Sequence, residues 1–233
     1  MAQRNSLFLL LWTLCSPVAS GEQPPPDYRA EVSIGAWYTV NAQLETAIRL
    51  AHETPDLFEQ GELNQASKTH FHKAIIWADA FENQVFETAG LAYLKGLIWM
   101  QLNDVARAKK EYLRSLKLDP DGIDTLFDLG ELYMIEQKYD DAKACYQPVR
   151  HQKTTGSDAW RASLRLAEIA GHQANPIELE LYLREAIQRG FPLAQIARYP
   201  AWSHFYRDAE LRDKIYKLYL VYGDARLLRE LKP

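Results

Sequence analysis

The chain has 233 residues, 27 basic and 31 acidic, for a formal charge of −4, with 47% hydrophobic and 25% charged residues. That is enough apolar material for a real core, and too little positive charge for the basic surface that a phosphate backbone demands, so nucleic acid is excluded as the expected partner.

Residues 1–20 read as a secretory signal peptide: Arg4 gives a weakly positive start, Leu7 to Leu14 is apolar apart from Thr13, and Val18-Ala19-Ser20 supplies small residues for cleavage. The apolar run is about half of what a membrane-spanning helix needs, which argues against retention as an anchor and predicts no transmembrane segment in the mature chain. Leu14 is too bulky to resemble a lipid-attachment signal at Cys15. Loss of these residues takes the charge to −5 and leaves Cys145 alone, without an intramolecular partner in an oxidising compartment. Cys145 reads as a small apolar filler on a helix, with an intermolecular disulfide as the alternative. Residues 21–27 (Gly-Glu-Gln-Pro-Pro-Pro-Asp) form a Pro-rich extended spacer.

From Tyr28 onward helical spacing is nearly continuous and no alternating strand pattern stands out, so the chain is expected to be all-α. Residues 28–88 read as an N-terminal helical cap or as degenerate repeats. Within them, 28–53 suggest two short helices around Asn41, with Gly35, Tyr38 and Ala47 at repeat-like intervals. A unit starting at Pro55 would place Ala74, Ala78 and Phe81 at second-helix core positions, while Gly61, Glu62 and Gln65 fit poorly.

The next two stretches echo one another at an offset of 34 residues: Gly96 becomes Gly130, Trp99 becomes Tyr133, Ala108 becomes Ala142 and Tyr112 becomes Tyr146. Small Gly96 and Ala108 would let two helices approach, Trp99 and Tyr112 would fill the space between them, and Pro120 would help to end the second helix. The expected helix caps are Asp121 or Asp124, then Ser157 or Asp158, then Asp208.

The copy Ala92, Lys95-Gly96, Trp99, Ala108, Tyr112, Pro120 and the copy Leu126, Leu129-Gly130, Tyr133, Ala142, Tyr146 resemble the tetratricopeptide repeat. The resemblance implies a right-handed superhelical array of antiparallel helix hairpins, with repeats at 89–122 and 123–156 and a degenerate third at 157–190. In the third, Trp160 stands 34 residues after Leu126, Leu164 replaces the Gly and Ala167 the aromatic, which suggests an inverted fit. Leu179, Leu183 and Ala186 keep the second-helix spacing only if the turn around Gly171 to Pro176 is about three residues longer.

Residues 191–233 look like the closing segment found after such arrays. Gly190-Phe191 makes a turn, Tyr199-Pro200 precedes Trp202 and Phe205, and a helix from about Ala209 carries a stripe of Leu211, Ile215, Leu218 and Tyr222. Gly223 would end that helix, and Arg226 to Leu231 would add a turn or two. The dense aromatics here, Tyr199, Trp202, Phe205, Tyr206, Tyr216, Tyr219 and Tyr222, read as a capping core, with a partner-binding patch as the alternative.

The resemblance also implies that first helices line a concave ligand face. Carried over residue by residue, the contact positions are Gly90, Tyr93, Leu97 and Met100, then Asp124, Phe127, Glu131 and Met134, then Asp158, Arg161, Arg165 and Glu168. Such a face would be apolar and Met-rich at one end, with two arginines suited to a carboxylate at the other. Packing between helices is the competing reading for each of these side chains. Tyr93 and Leu97 stand where a carboxylate-clamp Lys and Asn would be, so that clamp is not expected.

No catalytic residue, metal site or cofactor is predicted: His-Glu-x-x-His, phosphate-loop, dinucleotide and Gly-x-Ser-x-Gly patterns are all missing from the sequence. On a helix His70 and His72 diverge by about 200°. His52, His151, His172 and His204 fall near helix ends or turns. The expectation is a non-enzymatic scaffold or adaptor, exported and periplasmic, that binds a peptide or helix of an envelope protein. An accessory subunit or unrecognised enzyme with a site among His52, Glu62, His70 and His72 is one alternative, and a self-assembling homo-oligomer is another.

Overall fold

The computed structural model describes residues 28–53, 63–84, 86–153, 155–156, 158–198 and 202–223, so the signal peptide, the spacer, Pro55, Gly61, Glu62, Tyr199-Pro200 and residues 224–233 lie outside it. The described residues are all-α as expected, with nine helices. They fall into two compact units, one up to Pro120 and one from Asp121.

The first unit begins with α1, Tyr28–His52, one unbroken helix of 25 residues where two short ones were expected. Asn41 does not cap a break, because its amide donates to Glu45 Oε1 one turn on at 2.8 Å, along the helix. Gly35 and Ala47 therefore share a helix and are not the facing pair of a repeat; Tyr38 is 64% exposed. α2, Gln65–Gln84, runs back against α1. Asn64 sets its start twice over, accepting from the Ser67 amide at 2.7 Å and donating to the Leu50 carbonyl at 2.6 Å. Between them, Val40, Leu44, Ala47 and Ala51 of α1 and Phe71, Ala74, Ile75 and Ala78 of α2 are buried. Ala74 and Ala78 do occupy second-helix core positions, but α1 supplies the first helix, whereas the 34-residue period had placed that helix after Pro55.

The second hairpin is α3, Ala89–Gln101, with α4, Val105–Leu118. Thr88 caps α3 through the Leu91 amide, and Asp104 caps α4 through the Arg107 amide. Asn103 takes a left-handed φ of 61° in the turn, which its short polar side chain tolerates. The expected small-beside-large contact is present: a methyl on Gly96 would stand 2.3 Å from the Tyr112 ring, and Tyr112 is 1% exposed. Trp99 differs from expectation, being half-buried with the Arg107 guanidinium 4.1 Å over its ring.

In the second unit α5, Ile123–Ile135, and α6, Tyr139–Gln152, repeat this arrangement, with Gly130 seated on the Tyr146 ring at 2.7 Å. α5 starts at Gly122, which takes the N-cap place between Asp121 and Asp124. α7, Arg161–His172, likewise starts on Trp160 in a helical turn, which displaces Asp158 from capping; Ser157 lies outside the described residues.

The third hairpin, α7 with α8 (Pro176–Gln188), corrects the register. Its turn, Gln173 to Asn175, is no longer than its predecessors, and the left-handed residue Ala174 falls 37 residues after Gln137. The three extra residues precede α7. Ala167 thus takes the place of Gly130 and Leu183 that of Tyr146, both fully buried. There is no inverted fit: a smaller apolar group faces a slightly larger small residue, which conserves volume.

Gly190 has φ of 102°, Phe191 is buried beside Trp160, and Trp202 and Phe205 are 1% exposed. The Phe205 ring lies 2.6 Å from where a Gly171 methyl would be, so Gly171 seats a ring too. α9, Ala209–Tyr222, is capped by Asp208, which accepts from the Glu210 and Leu211 amides. Its buried stripe is Leu211, Ile215, Leu218 and Tyr219; Tyr222 is 44% exposed, because Tyr219 takes the inward place and donates to the Leu193 carbonyl at 2.8 Å.

Candidate functional site

The first-helix positions behave differently in the two units. In the first, Tyr93 and Met100 are half-buried and Leu97 is 8% exposed. Gly90 is covered, since Trp37 of α1 comes within 3.3 Å of its methyl position. Behind this surface lies a charged cluster that the repeat pattern did not foretell. Lys95 Nζ is 2.5 Å from Asp79, 3.2 Å from Glu82 and 3.7 Å from Glu111, and Arg114 meets Glu82 at 2.9 Å and Glu111 at 2.7 Å. Burial alone would lower the Lys95 ammonium, but the Asp79 hydrogen bond and the charges of Glu111 and Glu82 outweigh it and hold the group above its ordinary value. The one signal in the sequence was Lys95 itself, a charge where the motif asks for Leu.

In the second unit Phe127 is 8% exposed and Met134 half-buried. Glu131, 5% exposed, accepts from Tyr146 Oη at 2.6 Å and from Arg165 through both oxygens at 2.7 Å. A third Arg165 nitrogen reaches Glu168 at 2.7 Å. Burial would lower the Arg165 pKa; the charges of Glu131 and Glu168 drive it well above its ordinary value instead. Burial, reinforced by the Glu131 charge, raises the Tyr146 phenol well above its usual range. A bidentate pair closed by a third carboxylate is internal framework. The structure therefore brings Glu131, Arg165 and Glu168 together with one another and leaves Arg165 unsuited to hold a ligand carboxylate.

Arg161 is the exception. Its guanidinium lies 4.4 Å over the Phe127 ring, and it forms no ion pair among the described residues. The 37-residue register makes Arg161, Leu164, Glu168 and Gly171 the counterparts of Asp124, Phe127, Glu131 and Met134, so Asp158 and Arg165 drop out of the contact positions. Gly171 is already covered by Phe205. Asp124 sits 3.6 Å from Lys153 at the other end of α5.

Among the N-terminal residues considered for a site, His70 Nδ1 lies 2.9 Å from Gln43 Oε1 and His72 Nδ1 lies 2.6 Å from the Lys68 carbonyl. Glu62 lies outside the described residues. Among the described residues no three His, Cys, Asp or Glu side chains form a metal-binding group, and no helix is long and apolar enough to cross a membrane.

Residues 89–121 and 123–147 match the family described as tetratricopeptide repeat. No curated protein sequence matches the chain. Among solved structures, it is similar to a variant of the nearly identical TPR-like repeats of a Podosopora anserina putative kinesin light chain, at 12% identity over 84% of this chain and 92% of that one, with a TM-score of 0.52. It is also similar to pilF of Pseudomonas aeruginosa, at 13% identity over 88% of this chain and 90% of that one, with a TM-score of 0.51.

Proposed function

From the premise that this is a tetratricopeptide-repeat protein, with the fold of such solenoids and a scaffold type of role in protein–protein interaction, we propose that it is an exported, non-enzymatic adaptor. It works in the cell envelope, periplasmic after cleavage of residues 1–20, and takes a peptide or helical segment of an envelope protein on its first helices.

The observation that carries this reading is Arg161 stacked over Phe127, with Met134 about two turns further along α5. Arg161 holds its charge over an aromatic floor with no carboxylate among the described residues to neutralise it, while Arg165 beside it is fully engaged. A cation on an apolar floor suits an acidic side chain or terminal carboxylate flanked by an apolar residue. Tyr93 and Met100 give the first unit a separate, uncharged surface of the same adaptable type.

Arg161→Glu is expected to abolish capture of partners from an envelope extract and to leave the melting temperature unchanged. Undiminished capture would remove the surface from consideration. Export is checked separately, by whether the N-terminus of the chain recovered from its host begins at or near Gly21 outside the cytoplasm.

A further inference from the structure

Four of the helical glycines are ring seats. Trp37 comes within 3.3 Å of the methyl position of Gly90, and Tyr112, Tyr146 and Phe205 come within 2.3, 2.7 and 2.6 Å of those of Gly96, Gly130 and Gly171. Gly35 on α1 breaks the rule: among the described residues nothing lies within 4 Å of its methyl position, although a glycine in mid-helix is unfavourable against alanine without such a contact. Beside it on α2 stands Trp77, 56% exposed. Both line one groove of about 300 Å³ between the first half of α1 and the second half of α2, with Ala36, Thr39, Val40 and Phe81. An empty seat and an unseated indole thus share one surface of the first unit.

We propose that this groove is the interface of a two-fold homodimer, in which Trp77 of each copy sits on Gly35 of the other. A rotation about an axis lying along the groove places α2 of one copy over α1 of its partner at the same level, so one operation satisfies both seats, as an isologous contact requires. The described residues lining the groove carry no formal charge, so they supply no counter-charge to an acidic peptide or a lipid headgroup, while a second copy brings an uncharged aromatic of the right kind. The groove takes in about half of each helix, roughly 15 by 20 Å, or about 600 Å² over two copies, the size of a weak, transient contact. Association near the micromolar range or weaker follows. The surface is separate from Phe127, Met134 and Arg161, so it stands or falls independently of the adaptor reading.

The test is sedimentation equilibrium of the full-length protein as its host processes it, at concentrations up to several hundred micromolar. A concentration-dependent dimer is expected, with Kd raised at least about tenfold by Trp77→Ala and by Gly35→Phe, which fills the seat from its own side with a Cβ that no described atom approaches within 4 Å. Unchanged helical circular dichroism in both variants shows that folding is retained. Because one variant keeps the seat and the other keeps the indole, their equimolar mixture should associate more tightly than either alone. A wild-type chain that stays monomeric, a dimer that ignores both substitutions, or a mixture no tighter than its components would each overturn the proposal.

Discussion

The position held by Leu97 in the first unit is held by Glu131 in the second, one buried hydrocarbon and one buried carboxylate on otherwise matching hairpins. Both sit one residue after a glycine that seats a tyrosine ring. The hairpin is thus specified by the glycine–ring contact, and the neighbouring buried position accepts opposite chemistry provided its partners change with it. In the second unit those partners are Tyr146 and Arg165; in the first, buried charge moves to Lys95 and is met by Asp79, Glu82 and Glu111.

The largest expected effect comes from removing the cation that makes Glu131 tolerable. Arg165→Met should cost about 3–5 kcal/mol in chemical denaturation, because Glu131 and Glu168 are then left without a counter-charge. Adding Glu131→Leu, which makes the position like Leu97, should recover a good part of that loss, and strict additivity of the two changes would contradict the pairing. For the same reason an Arg165→Glu variant would report on stability and not on ligand capture.

The glycine seats give the next effect. Gly96→Ala and Gly130→Ala should each cost about 1–3 kcal/mol through overpacking, with Gly96 the more sensitive because the Tyr112 ring is closer. Gly35→Ala, with no described atom within 4 Å of its methyl position, should stabilise the monomer by about 0.5–1 kcal/mol through helix propensity. Equal responses at all three sites would mean that the rings do not specify the hairpins.

Much of this was legible in the chain, because the 34-residue echo of Gly96, Ala108 and Tyr112 encodes contacts within a hairpin, and those contacts are local in sequence. The single helix α1 was not legible: a helix with Gly35 and Asn41 inside it carries the residues that elsewhere end helices, and packing against α2 through Val40, Leu44, Ala47 and Ala51 overrides them. The shift before α7 was missed for a related reason. Trp160 matched Leu126 by spacing, but register is fixed by the turn geometry at Gln137 and Ala174. At the candidate site, residue type drew attention to Arg161 and Arg165, yet could not say which of two arginines one turn apart would be consumed by Glu131 and Glu168.

The smallest effect concerns Cys145, 8% exposed, whose thiol burial pushes up to about 11 from an ordinary 9, with the Asp141 charge assisting. The unfolded chain therefore releases this proton first, and the contribution to stability, complete below pH 9, is lost as pH rises from there to about 11. Cys145→Ala should flatten that part of the alkaline denaturation curve, and alkylation of Cys145 at pH 8 should be slow in the folded protein.

The most direct test of the adaptor account is site-specific photo-crosslinking in the host, with the probe at Met134, about two turns along α5 from Phe127, or at Ile177, which is 75% exposed on α8. The account predicts a discrete adduct with an envelope protein from Met134 that disappears with Arg161→Glu, and none from Ile177. An adduct from Ile177 alone, or one from Met134 that persists in the Arg161→Glu variant, would contradict it.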